Sequence, residues 1–193
     1  RQRQMCIRDS RMLERGSVSP EAIRYLVHGT TVATNAIIEG NLSKTAFITT
    51  DGFSDLLEIQ TGIRPVLYDL QFEKLPPLVP RYLCFGIPER LDFRGDVLTP
   101  LDEEATRRIG SRLREETVES VAVCLLHAYI NPVHEKRVGA ILEEALPSAL
   151  FSLSSEVAPE FREYFRASTT VINAAVRPVV SRYLERIQTQ IQG

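Results

Sequence analysis

The residues best suited to chemistry stand together at positions 28–31, where the sequence reads His-Gly-Thr-Thr. The imidazole of His28 can act as an acid or a base near neutral pH, and the hydroxyls of Thr30 and Thr31 can donate and accept hydrogen bonds. Gly29 has no side chain, so a ligand can approach the backbone closely there. A turn of this composition predicts a ligand site, provided that the turn faces a cleft.

A strand and a helix must hold this turn in place. The apolar residues at 25–27 are typical of the end of a buried strand. After the turn, apolar residues recur at helical intervals and predict a helix that Gly40 closes: Val32, Ala33, Ala36 and Ile37. Backbone N–H groups at such a helix start face the ligand in α/β proteins. In the alternative, structural interpretation, Thr30 or Thr31 only caps the helix and His28 hydrogen-bonds within the turn.

The rest of the pattern predicts an α/β fold with a mostly parallel sheet and crossover helices. Strands are predicted at 44–50, 118–126 and 150–153, and a β-hairpin at 82–91 and 96–98. Helices are predicted at 53–59, 100–116, 134–146 and 168–190. Pro178 predicts a kink or a break in the last helix near Arg177. The strand at 118–126 is the most apolar one and should be central.

Other polar residues form a second group of candidates. Arg64 and Asp69 lie in a proline-rich loop at 61–80, and loops of that length are usually functional or disordered. Glu156, Arg162 and Glu163 follow the last predicted strand. Surface ion pairs and helix caps are the structural alternative for these residues.

His127 resembles His28 in its position. It ends the apolar strand at 118–126, and open α/β sheets bind ligands at the carboxyl ends of their strands. A local hydrogen-bonding role for His127 is the simpler interpretation. His134 and Glu135 begin the next helix, but the pair lacks the second histidine of a zinc-protease motif.

Composition narrows the class of protein. The 193 residues carry a formal charge of −2, which gives no argument for binding nucleic acid or an anionic membrane. Cys84 and Cys124 lie in apolar runs without metal-ligand spacing, which favours buried free thiols and a cytoplasmic location. No apolar run reaches the ~18 residues of a membrane span. Residues 1–10 look like translated sequencing-adapter sequence, so native sequence is expected to begin near Arg11.

Seven stretches together resemble the N-terminal region of the hydantoinase A / 5-oxoprolinase family. They are HGTTVATNAIIEG at 28–40, ITTDGFSDLLEI at 48–59, RPVLYDL at 64–70, PLVPR at 77–81, VLTPLDEE at 97–104, VAVCLLHAYINPVHE at 121–135 and the run from SLSSEV to SRYL at 152–184. The matches cover nearly the whole chain from residue 25 on. Their order and spacing make the resemblance specific.

The resemblance implies a partial actin-like (ribonuclease-H-like) ATPase fold and the ATP-dependent opening of a cyclic amide. ATP with Mg²⁺ is the implied cofactor, and a hydantoinase B-type subunit or domain is the implied partner. His28, Thr30 and Thr31 are then the expected catalytic residues, lining an interdomain cleft, with Gly29 near the nucleotide. The expected substrate contacts are Thr34, Asn35, Arg64, Asp69, Glu156, Arg162 and Glu163.

Two departures from the family pattern bear on function. The phosphate-binding loops lie outside the matched residues, so this stretch alone is expected to be inactive. Residues 60–63 and Phe165 differ from the family pattern, which leaves the ring that is opened undetermined. A subunit of an acetone- or acetophenone-carboxylase-type enzyme and a non-catalytic actin-like module are the alternatives. We expect residues 11–167 to form the truncated domain and residues 168–193 a helix that leads to the next domain.

Overall fold

The computed structural model describes residues 29–63, Tyr68, Gln71 and residues 76–192. Residues 190–192 are described as backbone only. The predicted strand at 24–27 lies outside the described residues. The described residues contain the strands β1 Thr45–Thr50, β2 Cys84–Ile87, β3 Arg90–Leu91, β4 Val97–Thr99, β5 Ser120–Cys124 and β6 Leu150–Leu153. They also contain the α-helices α1 Val32–Glu39, α2 Leu56–Ile59, α3 Glu103–Glu115, α4 Val133–Ala145, α5 Ser154–Val157 and α6 Glu163–Gln192.

A four-stranded parallel sheet organises the core, in the order β2-β1-β5-β6. The two interior strands, β1 and β5, are buried at every position, which is why both read as near-continuous runs of small and β-branched residues. Phe47 of β1 faces Cys84 of β2 on one side and Ala122 of β5 on the other. The predicted α/β class, the parallel sheet and the central place of β5 are confirmed.

The predicted β-hairpin is only partly correct. Residues 84–87 do not pair with 96–98 but join the main sheet as β2, parallel to β1. Only Arg90–Leu91 pairs with Val97–Thr99, in an antiparallel ladder interrupted by an irregularity. The apolar Cys84 and Ile87 are buried against the core, and that burial outweighs local pairing with the exposed residues of β4.

The last helix begins earlier than the polar residues at 168–170 suggest. It starts at Glu163, so Ser168 and Thr170 lie inside it, where their hydroxyls donate to the carbonyls of Phe165 and Arg166. The helix also continues past Pro178 to Gln192, so a break near Arg177 is wrong, whereas a kink there stays a prediction.

The described residues fall into two compact units. Residues 29–41 and 179–192 belong to the smaller one, which holds α1 and the second half of α6. Residues 42–178 belong to the larger one, which holds both sheets, α2–α5 and the first half of α6. Within the described residues no helix is long and apolar enough to cross a membrane.

A close helix contact holds α3 against α4. Gly110 of α3 is buried, and a Cβ atom added there would lie 2.9 Å from Cβ of Ala145 and 3.3 Å from Cδ2 of Leu142. A helical glycine normally costs stability relative to alanine, so its presence here reflects the space between the helices.

We therefore expect Gly110→Ala to destabilise the protein by about 1–3 kcal/mol, because the added methyl group overpacks this contact. Ser111→Ala on the exposed face of the same helix should change stability by less than about 0.5 kcal/mol. Urea denaturation of both variants measures the difference. A Gly110→Ala protein that is more stable than the parent would show that helix propensity outweighs packing at this site.

Candidate active site

The polar residues at the start of α1 are all exposed. Thr30, Thr31, Thr34 and Asn35 have side chains open to solvent, and Gly29 has nothing within 4 Å of the position a Cβ would take. The hydroxyl of Thr30 accepts a hydrogen bond from the backbone N–H of Val32 at 3.2 Å. Thr30 thus has the capping contact of the structural interpretation, yet its side chain remains accessible.

Thr31 is the N-cap residue of α1, but its hydroxyl takes no backbone N–H. Its oxygen instead accepts from the side-chain amide of Asn35, at 3.4 Å. Because the first N–H groups of a helix have no intrahelical acceptor, this exposed helix start can donate to an anionic group. His28, the first candidate, lies outside the described residues.

The second group of candidates is not held together by ion pairs in the described part of the chain. Arg64 and Asp69 lie outside it. Glu156 is exposed in the single turn of α5, and Glu163 is the first residue of α6. Arg162, which is exposed, precedes α6 with a backbone φ of +82°, a conformation that residues other than glycine seldom adopt.

A buried polar network lies at the carboxyl ends of β1, β2 and β5. Glu89 is 3% exposed, and its carboxylate accepts from the hydroxyl of Thr50 and lies 2.8 Å from Nδ1 of His134. The same Thr50 hydroxyl accepts from the backbone N–H of Leu126, at 3.0 Å. One carboxylate therefore links the strand ends to the first turn of α4.

A second buried carboxylate holds the residues that follow β5. Glu135 is completely buried and accepts from the backbone N–H of Leu125 at 3.2 Å, the hydroxyl of Ser154 at 2.7 Å and the N–H of Ser155 at 2.7 Å. On the other side of Leu125, the guanidinium of Arg166 donates to the Leu125 carbonyl at 2.7 Å. Arg166 is itself 1% exposed.

His127 lies two residues after Leu125, the residue whose backbone N–H and carbonyl are both held by these hydrogen bonds. Its backbone φ is +57°, and its ring lies 6.1 Å from that of Tyr129. Nδ1 is buried and has no hydrogen-bond partner among the described residues, which differs from the local hydrogen-bonding role expected from the sequence. The expected position at the carboxyl end of a parallel strand is confirmed.

Sequence reasoning missed Glu89, Glu135 and Arg166 as buried groups. Charged residues are almost never fully buried unless paired, so each looks like a surface residue in a one-dimensional pattern. The only feature of the sequence that could have indicated their burial was position, because Glu89 follows a strand and Glu135 lies at the start of a helix. Their partners are 39 to 45 residues away for Glu89 and 10 to 20 for Glu135.

Cys84 and Cys124 are confirmed as buried free thiols. Burial raises the pKa of the Cys84 thiol to about 11, although the guanidinium of nearby Arg81 opposes the shift. Burial also raises the pKa of Cys124, against the opposing effect of Arg166. Both side chains therefore stay protonated at neutral pH and are poor nucleophiles.

Comparison with known proteins identifies the family. The family described as "Hydantoinase/oxoprolinase N-terminal region" matches residues 7–146. This chain belongs to that family. The sequence resemblance to hydantoinase A and 5-oxoprolinase proteins is thereby confirmed.

Three relatives illustrate the similarity of this family member. The caprolactamase subunit alpha of Pseudomonas jessenii is 41% identical over 163 residues, which cover 83% of this chain and 23% of the relative. The 5-oxoprolinase of Saccharomyces cerevisiae is 34% identical over 192 residues, covering 86% of this chain and 15% of the relative. The nucleotide-free structure of an acetone carboxylase is similar to this chain, with a TM-score of 0.76 and 25% identity. The match covers 92% of this chain and 28% of the acetone carboxylase chain.

The crystal structure of an ATP-dependent caprolactamase from Pseudomonas jessenii is similar over 99% of this chain, with a TM-score of 0.84 and 36% identity. The match covers 28% of that longer chain. The fold of this hydantoinase/oxoprolinase family member is a partial actin-like α/β domain. The chain spans about a quarter or less of the length of these relatives.

We expect Glu89→Ala to lower the free energy of unfolding by about 3 kcal/mol, because it leaves the Thr50 hydroxyl and the His134 ring without their buried acceptor. Glu104→Ala is the matched control, since Glu104 pairs with Arg108 at the surface with its side chain 82% exposed. That control should cost less than about 0.5 kcal/mol. Equal losses in urea denaturation would exclude a structural role for the Glu89 network.

Proposed function

We propose that this chain is part of an enzyme that opens a cyclic amide in an ATP-dependent reaction, after phosphorylation of the amide carbonyl oxygen. The observation that carries the proposal is the similarity to an ATP-dependent caprolactamase over 99% of the chain, with a TM-score of 0.84. The 34% identity to a 5-oxoprolinase supports the same class of substrate.

The chemistry explains why such a reaction uses a nucleotide. An amide carbonyl is a poor electrophile, and ATP with Mg²⁺ supplies a phosphoryl group that makes its carbon more reactive. Catalysis of phosphoryl transfer depends mainly on positioning and charge neutralisation. Within this chain, the exposed start of α1 suits a phosphate, because Gly29 leaves room and the first helical N–H groups lack intrahelical acceptors.

We assign roles to the residues on this basis. Thr30 and Thr31 donate hydrogen bonds to the reacting oxygens, Gly29 lets the nucleotide approach, and His28 transfers a proton. Thr34 and Asn35, on the next turn of the exposed helix face, contact the substrate. Further substrate contacts are assigned to the second group of candidates: Arg64, Asp69, Glu156, Arg162 and Glu163.

A partner subunit of the hydantoinase B type is part of the proposal. The relative from Pseudomonas jessenii is by name a subunit alpha. The match to that relative covers 83% of this chain. A cytoplasmic location, in which ATP is available, completes the proposed setting.

A subunit of a ketone carboxylase is the second candidate, since the acetone carboxylase structure is similar with a TM-score of 0.76. The complete protein should be incubated with ATP and ε-caprolactam, 5-oxoproline or acetone, with and without bicarbonate, while phosphate and the organic product are measured. Lactam-stimulated ATP hydrolysis without bicarbonate supports the cyclic-amide hydrolase. Bicarbonate-dependent turnover with acetone would replace it by the carboxylase, and no stimulation would favour a non-catalytic module.

In the complete protein, His28→Ala should lower kcat by about 100-fold or more, as expected for the loss of a proton-transferring group, with little change in Tm. Thr99→Val, at an exposed position of β4, should leave kcat unchanged. Steady-state kinetics and thermal melts measure both effects. A His28→Ala enzyme with the parent's kcat would remove this residue from the site.

A further inference from the structure

The larger unit contains a groove with a volume of about 190 Å³. Its walls come from α2, from residues 76–78 and from the first half of α6. They are mostly apolar, and the polar side chains among them are those of Gln60, Tyr164 and Ser168. Pockets for drug-sized ligands measure roughly 300–1,000 Å³, so this groove suits a smaller molecule of about one ring.

Gln60 holds an unusual place in this groove. Its backbone has φ +59° and ψ −134°, a combination that is strained in residues other than glycine and occurs preferentially at functional sites. Its backbone N–H donates to the carbonyl of Leu56, which fixes the residue at the end of α2. Its side-chain amide has no hydrogen-bond partner among the described residues.

The unpaired carboxamide of Gln60 can form two hydrogen bonds with a ligand that has one donor and one acceptor side by side. It presents an N–H donor and a carbonyl acceptor on one edge. A lactam of five to seven ring atoms locks its amide in the cis form, so its own N–H and C=O also share one edge and can pair with the carboxamide through two hydrogen bonds. Peptide amides are trans and place the two groups on opposite edges, so they cannot form this pair.

The polarity of the groove further restricts the ligand. None of the described residues that line it carries a charge. A bound carboxylate would lose water there without gaining a cationic partner from those residues, which is costly. The methylene groups of an uncharged ring would instead contact the apolar walls. The Ser168 hydroxyl donates to the carbonyl of Phe165 at 3.1 Å and keeps its lone pairs free to accept.

We propose that this groove binds an uncharged lactam, with Gln60 pairing with the cis amide edge and the apolar walls contacting the ring. The choice of cyclic amides as ligands rests on the proposed function, whereas the pairing geometry and the absence of charge rest on the groove itself. The groove therefore favours ε-caprolactam over 5-oxoproline, which carries a carboxylate.

The test is a titration of the ¹⁵N-labelled 193-residue chain with ε-caprolactam, followed by NMR. We expect saturable shifts of the backbone amide signals of residues 57–60, 78 and 164–172, with a Kd of about 1–10 mM, as expected for a ligand of so few atoms. Pro76 and Pro77 have no N–H group and give no such signal. N-methylcaprolactam has the same ring without the N–H donor and should bind at least about tenfold more weakly. 5-Oxoproline should also bind more weakly than ε-caprolactam.

Two variants separate recognition from folding. Gln60→Leu keeps the backbone strain and side-chain bulk but removes the carboxamide, and it should weaken binding about tenfold. Gln60→Gly should weaken binding equally while raising Tm by about 2–4 °C, because glycine adopts a positive φ without strain. Thr117→Gly is the matched control: Thr117 has φ +52° and lies outside the groove, so Tm should rise with binding unchanged.

The proposal is overturned if ε-caprolactam gives no saturable shifts, if the shifts lie elsewhere, or if Gln60→Leu binds as the parent does. It is also overturned if N-methylcaprolactam or 5-oxoproline binds as tightly as ε-caprolactam. These results can be distinguished from a failure of the proposed function, which is tested by ATP hydrolysis. Lactam-stimulated ATP hydrolysis by the complete protein can persist when binding in this groove fails, which would place the substrate elsewhere.

Discussion

The structure depends on a buried carboxylate and a buried guanidinium that bind the two backbone polar groups of one residue. Glu135 accepts from the N–H of Leu125, and Arg166 donates to its carbonyl. Neither charge forms a direct ion pair within the described residues, but each is stabilised by neutral partners and by the dipoles between them. Removing Glu135 would leave the buried N–H of Leu125 without its acceptor, and removing Arg166 would leave the Leu125 carbonyl without this donor, losses that are costly in a protein interior.

This pair joins elements that are distant in sequence. Glu135 belongs to α4, Leu125 follows β5, Ser154 and Ser155 begin α5, and Arg166 lies in the first half of α6. The Thr50 and Glu89 network adds the ends of β1 and β2 to the same edge of the sheet. The carboxyl edge of a parallel sheet is the usual place for ligands, and here its backbone is fixed by buried hydrogen bonds before any ligand is bound.

Two surfaces of the chain differ in the chemistry they can perform. The start of α1 exposes hydroxyls, a carboxamide and backbone N–H groups, which suit anionic and strongly polar groups. The groove of the larger unit exposes apolar walls and the unpaired amide of Gln60, which suit a small neutral ring. The proposed function requires both kinds of recognition, because the phosphate is charged and the ring is not.

Features that depend on local pattern could be predicted from the amino-acid sequence alone. Buried strands such as β1 and β5 are recognisable because nearly every residue in them is apolar or β-branched, and the start of α3 is recognisable because Asp102 caps it. The family followed from seven motifs in order, and with it the actin-like fold. Among the site residues, the positions of Thr30, Thr31 and His127 at element ends could be predicted, since small polar residues and glycine mark such ends.

Contacts between residues that are far apart in sequence could not be predicted and are seen only in the folded structure. Cys84–Ile87 became a strand of the main sheet because its core-facing side chains are buried beside β1, a contact invisible in the local hairpin pattern. The burial of Glu89, Glu135 and Arg166 and the groove beside Gln60 arise from contacts between segments that are apart in sequence. Local propensity is weak compared with the free energy of burying such groups with the right partners, so those partners, rather than the residues' own types, set their roles.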